Sequence, residues 1–197
     1  MLKAHIPISI VIIFRRELNK MNSIRVMVFI DGSNLHWGMK SYNEENRVNL
    51  RIDYTKFIPL LAKDRSVVRT IYYCSKPVPP TGSSQVRFFD YLRSIGIQVF
   101  DKPLKTRTDS TGAVRYVEKG VDVALATDLI GMAWENAYDV AIIVSGDADY
   151  AGAVGKVMSK GKNVEVASFR KSLSKELKDS ALAKWILDDY IPQIKLV

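Results

Sequence analysis

The stretch that decides the fold is Arg25-Val26-Met27-Val28-Phe29-Ile30, followed at once by Asp31-Gly32-Ser33-Asn34. An unbroken apolar run without polar alternation describes a strand buried on both faces, the habit of a central strand in a parallel sheet. It breaks at a cluster of turn residues whose first member is an acid. A second run, Val140-Ala141-Ile142-Ile143-Val144, behaves the same way and ends at Ser145-Gly146-Asp147-Ala148-Asp149.

Between and beyond these runs the pattern alternates. Ser33 or Asn34 is expected to cap a short helix to about Lys40, and Asp53 a helix over 54–63. Strands are expected over 67–74, 97–100 and 164–168, with helices opening near Ser84 and Val121 and another running to about Ser159. The tail over 180–187 reads as a closing helix. Residues 102–118 differ: two polar, basic segments flank Asp109-Ser110-Thr111-Gly112, which predicts a β-hairpin flap. Strands alternating with helices predict a parallel sheet covered on both faces, with ligands bound beyond the carboxyl ends of the strands where the order reverses.

The 197 residues suit one domain, with or without an appendage. Hydrophobic residues at 47% and charged residues at 25% exclude disorder as the main state. The single cysteine, Cys74, excludes a disulfide framework and a cysteine-rich zinc site, and two histidines are too few for a histidine metal centre. The net charge of +8 suits an acidic partner. Half of that charge falls in residues 1–25, where Lys3, Arg15, Arg16, Lys20 and Arg25 face Glu17 alone. The apolar run 4–14 is too short for a membrane helix and lacks the flanks of a signal peptide. Residues 1–22 are therefore read as an extension, 23–197 as the domain, and the chain as cytoplasmic, with no membrane partner. Met21 is an alternative start.

The acids carry the chemistry. Asp31 ends one central strand, Asp147 and Asp149 follow another, and Asp122 lies in the first turn of the long helix. Carboxylates gathered at one sheet edge repel, and a hard divalent cation relieves that repulsion. Mg2+ or Mn2+ held by Asp31, Asp122, Asp147 and Asp149 suits phosphodiester hydrolysis, because the ion polarises the phosphoryl oxygen and acidifies a bound water. Each acid also has a plainer role: a turn or cap at Asp31, a cap at Asp149, a helix-dipole partner at Asp122.

Phe29-Ile-Asp-Gly-Ser-Asn-Leu35, Lys119-Gly-Val-Asp-Val-Ala-Leu-Ala-Thr-Asp-Leu129 and Asp139-Val-Ala-Ile-Ile-Val-Ser-Gly-Asp-Ala-Asp-Tyr150 resemble, in order and spacing, the signature segments of NYN domains, in the LabA-like branch of the PIN-like nuclease superfamily. The resemblance spans about Arg25 to Phe169. It implies a three-layer α/β/α Rossmann-like sandwich with a mostly parallel five-stranded sheet of order 3-2-1-4-5. It also implies a Mg2+- or Mn2+-dependent ribonuclease site carried onto the four aspartates. Asn34 matches the family's motif asparagine, which would steady the first aspartate or a metal-bound water. Tyr150 stands where the family motif has Phe. RNA, single-stranded or structured, is the implied partner, and a homodimer stays open.

Supporting residues follow. Lys119 suits either a scissile phosphate or an ion pair with Asp122, and Ser33 and Ser145 flank the acids, where they either orient them or serve as plain turn residues. Asp128 lies about 120° round the helix from Asp122, which suggests a structural hydrogen bond. Lys102, Lys105, Arg107 and Arg115 on the flap suit a nucleic-acid backbone or plain solvation. Arg170, Lys171, Lys175 and Lys178 extend that rim or solubilise the tail. His36 is read as a surface or packing residue before a general base, Trp37 as packing over the sheet edge before a base-stacking platform, and Cys74 as buried and inert. Two other activities stay open: a regulatory module that contacts RNA without cleaving it, and a metal-dependent phosphatase of small esters.

Overall fold

The computed structural model of the chain describes residues 23–76, 83–103, 105–108, 114–117 and 120–196. Its strands are β1 (Arg25–Asp31), β2 (Ser66–Lys76), β3 (Gln98–Pro103), β4 (Lys105–Thr108), β5 (Val114–Val117), β6 (Val140–Val144), β7 (Asn163–Ser168) and β8 (Ala183–Ile186). Its helices are α1 (Gly32–Asn46), α2 (Tyr54–Ala62), α3 (Ser83–Ser94), α4 (Val121–Trp134), α5 (Ala151–Ser159), α6 (Lys175–Ser180) and α7 (Ile191–Ile194), with single 3-10 turns at Ala148–Tyr150 and Leu187–Tyr190.

Six strands form one sheet in the order β3-β2-β1-β6-β7-β8, every pair parallel. β1 and β6 lie at its centre, where their unbroken apolar runs belong. Alternate residues of each enter opposite cores. Val26, Val28, Ile30, Val140, Ile142 and Val144 pack with Leu35, Phe57, Leu61 and Leu92 of α1, α2 and α3. Met27, Phe29, Ala141 and Ile143 pack with Val121, Leu125 and Leu129 of α4 and with Val154 and Val157 of α5. Helices therefore cover both faces, and successive connections leave β1 and β6 in opposite directions along the sheet. The gap between the carboxyl ends of β1 and β6 is the topological switch point.

The structure corrects the expectation of five strands and of a helix over 180–187. Ala183–Ile186 is a sixth strand, β8, paired parallel with β7. The spacing of Leu182, Trp185 and Ile186 fits a helical stripe, but the open edge of β7 offers backbone partners that a helix would forgo. Leu182 N donates to the Val164 carbonyl at 2.8 Å, and Trp185 Nε1 donates to Glu165 Oε2 at 3.0 Å. Arg65 holds the same Glu165 with two hydrogen bonds at 2.6 and 3.1 Å. Burial pushes the Glu165 carboxyl up, but Arg65 and Trp185 together hold it below the usual range.

The first helix also differs. It runs to Asn46 and is capped by Asp31, whose side chain accepts from Asn34 N, rather than by Ser33 or Asn34. In the hairpin region β4 and β5 pair antiparallel in a two-stranded sheet of their own, with Arg107 opposite Arg115. Residues 109–113, where the expected flap would turn, lie outside the described residues.

Candidate active site at the carboxyl edge of the sheet

Asp31 is the last residue of β1 and is 4% exposed. The parallel register pairs Ile30 with Val144, so Asp31 and Ser145 follow side by side. Three donors meet the carboxylate. Asn34 N donates to Oδ1 at 3.0 Å, while Ser145 Oγ and the Tyr150 hydroxyl donate to Oδ2 at 3.1 and 3.2 Å. Burial pushes its pKa up, these hydrogen bonds pull it down, the charge of Asp122 adds to the rise, and the net shift is upward.

The loop after β6 is tied to this carboxylate. Asp147 N donates to Ser145 Oγ at 3.2 Å, and Asp149 N donates to Asp147 Oδ1 at 3.0 Å, so Asp147 caps the 3-10 turn. Gly146 N donates to Asn34 Oδ1 at 2.9 Å, which joins the start of α1 to this loop. From the far side, Ser174 N donates to the Gly146 carbonyl at 2.8 Å, and a Cβ at Gly146 would overlap the Ser172 backbone. Only glycine fits between those two segments.

Asp122 is exposed in the first turn of α4, which starts at Gly120 with φ +81° and buries Val121. Lys102, at the end of β3, donates from Nζ to the Gly120 carbonyl at 3.2 Å. Asp31, Asp122 and Asp147 come together electrostatically at Tyr150, 1% exposed. Burial first, then the charges of Asp31 and Asp122, the hydrogen bond to Asp31 and the charge of Asp147 raise its phenol far above the ordinary range. Asp149 is exposed at the rim and reaches this group through its backbone N–H to Asp147.

Among the described residues no three His, Cys, Asp or Glu side chains stand close enough to hold one metal ion together. The donor set is nonetheless all oxygen, and Asp31 lies within the field of Asp122. Mg2+ takes only one or two protein carboxylates directly and keeps several waters, so this open arrangement fits a hard cation.

Sequence reasoning missed one donor: Tyr150 contributes its hydroxyl where a Phe could not. Ser145, read as a residue that orients the acids or merely fills a turn, donates to Asp31. Ser33 lines a cleft with His36 and Trp37. The packing expected of Trp37 is not found, since it is 61% exposed. Cys74 is buried, and Asp128 accepts from the Tyr73 hydroxyl at 2.8 Å, the structural role expected of it. Lys119 lies outside the described residues, and Lys105, Arg107 and Arg115 are described by backbone register alone. Arg170 and Lys171 pair with Asp189 and Glu45 at 2.6 and 2.8 Å.

Residues 25–186 match the family model of the NYN domain. The chain belongs to the NYN domain family. That family is PIN-like and nuclease in character. This NYN chain is similar to the low amplitude and bright protein LabA of Synechococcus elongatus, with 25% identity over 160 residues, 79% of this chain and 80% of that protein. Its fold matches the crystal structure of a protein of unknown function from Vibrio parahaemolyticus with a TM-score of 0.70 and 26% identity, over 88% of this chain and 97% of that one. No helix among the described residues of the NYN chain is long and apolar enough to cross a membrane.

Proposed function

We propose that this NYN domain is a metal-dependent ribonuclease that hydrolyses phosphodiester bonds of RNA at the switch point between β1 and β6. Mg2+ or Mn2+ would be held among Asp31, Asp122 and Asp147, by one or two of these carboxylates directly and by the rest through the ion's waters, with Asp149 at the rim. The observation that carries the reading is Asp31, a buried carboxylate given three donors and set in the field of a second acid. A charge in that setting costs the fold stability, and perturbed carboxylates in clefts mark functional sites.

When bound, the ion supplies charge neutralisation at the phosphate and an acidified water. The chain's own residues do the positioning. Ser145 and Tyr150 fix one oxygen of Asp31 and Asn34 N the other, leaving little rotamer freedom at the carboxylate. The Asn34 side chain keeps the two acid-bearing loops at one spacing. Lys102, close to the start of α4, supports an approaching phosphate, and Lys105, Arg107, Arg115 and Lys119 supply further charge for an RNA backbone.

Labelled single- and double-stranded RNA and DNA, incubated with Mg2+, Mn2+ or EDTA, test the reading. Cleavage of RNA by wild type with Mn2+, lost with EDTA and in Asp31→Ala, is expected. An Asp147→Asn protein that cleaves as fast as wild type would refute it.

A further inference from the structure

Helix α4 is more apolar than a helix at a protein surface should be. Asp122 and Asp128 are its only charged residues, and Asp128 accepts from Tyr73. Val121, Leu125, Leu129 and Ala133 fill the core, yet the opposite face carries Val123, Thr127, Gly131 and Trp134. Val123 is 68% and Trp134 50% exposed, and the Thr127 hydroxyl is satisfied inside the helix, donating to the Val123 carbonyl at 2.6 Å. A helix that is apolar on every side belongs in an interior, so a further layer is expected outside it.

Helix α5 lies beside α4 over the same core and runs the same way, since each leads into a strand of one parallel sheet. Their ends are level: the ammonium of Lys160, just past α5, lies 5.3 Å from the Trp134 ring centroid. Gly152 and Gly155 therefore stand toward the Val123 end. Both are exposed, neither has a positive φ, and a Cβ at either of them, or at Gly131, would meet no atom within 4 Å. Glycine weakens a helix interior relative to alanine. The chain's own packing does not require it at these three positions, so the room it leaves suits something outside the chain. The face is low at its Val123 end and high at its Trp134 end.

We infer that the outer face of α4 and α5 is a dimer interface of this chain, with α4 antiparallel to its counterpart across a two-fold axis midway between Thr127 and Ile130. A face with a recess at one end and a projection at the other is complementary to the same face turned end for end. In that register Trp134 of each copy enters the recess beside Val123, Gly152 and Gly155 of the other, and Thr127 meets Ile130. The charges agree. Asp122 and Asp149 are exposed at the recessed end, while Lys156 and Lys160, against Glu135, are exposed toward the projecting end. The two-fold thus sets the cations of each copy beside the acids of the other. A footprint about 20 Å square, two helices wide and about four turns long, lies somewhat below the ~800 Å² per partner of a standard interface. The dimer is therefore weak and concentration-dependent. This inference stands apart from the nuclease reading.

Sedimentation equilibrium of the full chain from about 5 to 500 µM, the span of a weak association, is the test. The mass should climb from 22.2 kDa toward twice that value. Trp134→Ala, which removes the projection, and Gly155→Gln, which fills the recess, should each weaken association at least about tenfold without lowering the melting temperature. Gly155→Gln has open space in the monomer and a better helix former in place of glycine, so loss of the dimer there is not loss of the fold. A short bismaleimide should join Val123→Cys protein to Glu135→Cys protein when the two are mixed, and neither to itself, because antiparallel helices hold like positions roughly 16 Å or more apart along their axes. Cys74 is buried, so wild type serves as the blank. Monomers at every concentration overturn the inference, whatever else the face then binds. So does a dimer that both substitutions leave intact, or cross-linking of either cysteine variant to itself.

Discussion

The Tyr150 hydroxyl donates a hydrogen bond to Oδ2 of Asp31 at 3.2 Å, with both groups buried. It is one of three donors that hold the carboxylate, and it comes from the residue directly after the Asp147-Ala148-Asp149 loop. Tyr150→Phe keeps the ring in the core and deletes that donor. RNA turnover is expected to fall about tenfold and the melting temperature by roughly 3–12 °C, since a hydrogen bond to a charged group contributes about 1.5–3 kcal/mol. Cleavage rates with Mn2+, read beside a thermal scan, check this. A melting temperature that collapses, or turnover equal to wild type, contradicts it.

Asp31 has a pKa raised in the folded protein, so folding is favoured by its neutral form. The sign follows: the native state holds this proton more tightly than the unfolded chain. Stability associated with Asp31 is present below the ordinary carboxylate pKa and is lost as pH rises through the folded value. Asp31→Asn is therefore expected to melt higher than wild type at pH 7 in EDTA, with the gain shrinking as pH falls through the raised folded value and gone below about pH 4. Thermal scans across that range measure it, and a variant less stable than wild type at pH 7 would count against the raised pKa.

At the opposite edge of the sheet Arg25 grips Asp139 at 2.8 Å, with Lys162 at 3.5 Å. Hydrogen bonds from Arg25, outweighing partial burial, hold the Asp139 carboxyl well below the usual range. Here the stabilisation is present above the ordinary aspartate pKa and disappears as pH falls through the depressed one. Solvent reaches 39% of both side chains, so Asp139→Asn is expected to cost only about 1 kcal/mol at neutral pH. Urea unfolding at pH 7 and pH 2 should show the difference from wild type narrowing at the acid end.

Gly146→Ala is expected to cost at least about 2 kcal/mol, because its Cβ would overlap the Ser172 backbone rather than a movable side chain. Relief requires either the loop after β6 or the segment after β7 to shift, and the first of these carries Asp147. Denaturant unfolding and RNA turnover should both fall. Loss of neither would mean that the close approach is not maintained in solution.

Much of the candidate site's placement at the ends of buried strands was legible because its signals are local. An apolar run that stops at a turn residue marks the end of a buried strand, and Asp31 and Asp147 follow two such ends. Asp53 was legible as a cap for the same reason, and it accepts from Thr55 N in the structure. The closing strand was not legible. Leu182, Trp185 and Ile186 satisfy a helical spacing, and only the unpaired edge of β7 converts them to β8. Trp37 was misjudged for a related reason, since an aromatic residue in a short helix carries no local mark of whether anything will cover it.

The chain alone determined the alternating elements, the two central strands and the acids that follow them, because backbone preference and burial pattern act over a few neighbouring residues. Tertiary structure decided that β1 lies against β6, more than a hundred positions away, and therefore that Ser145 and Tyr150 serve Asp31. It also decided that α1 leaves Trp37 uncovered. Those outcomes depend on strand order and packing between distant segments, and no run of adjacent residues encodes the distance between them.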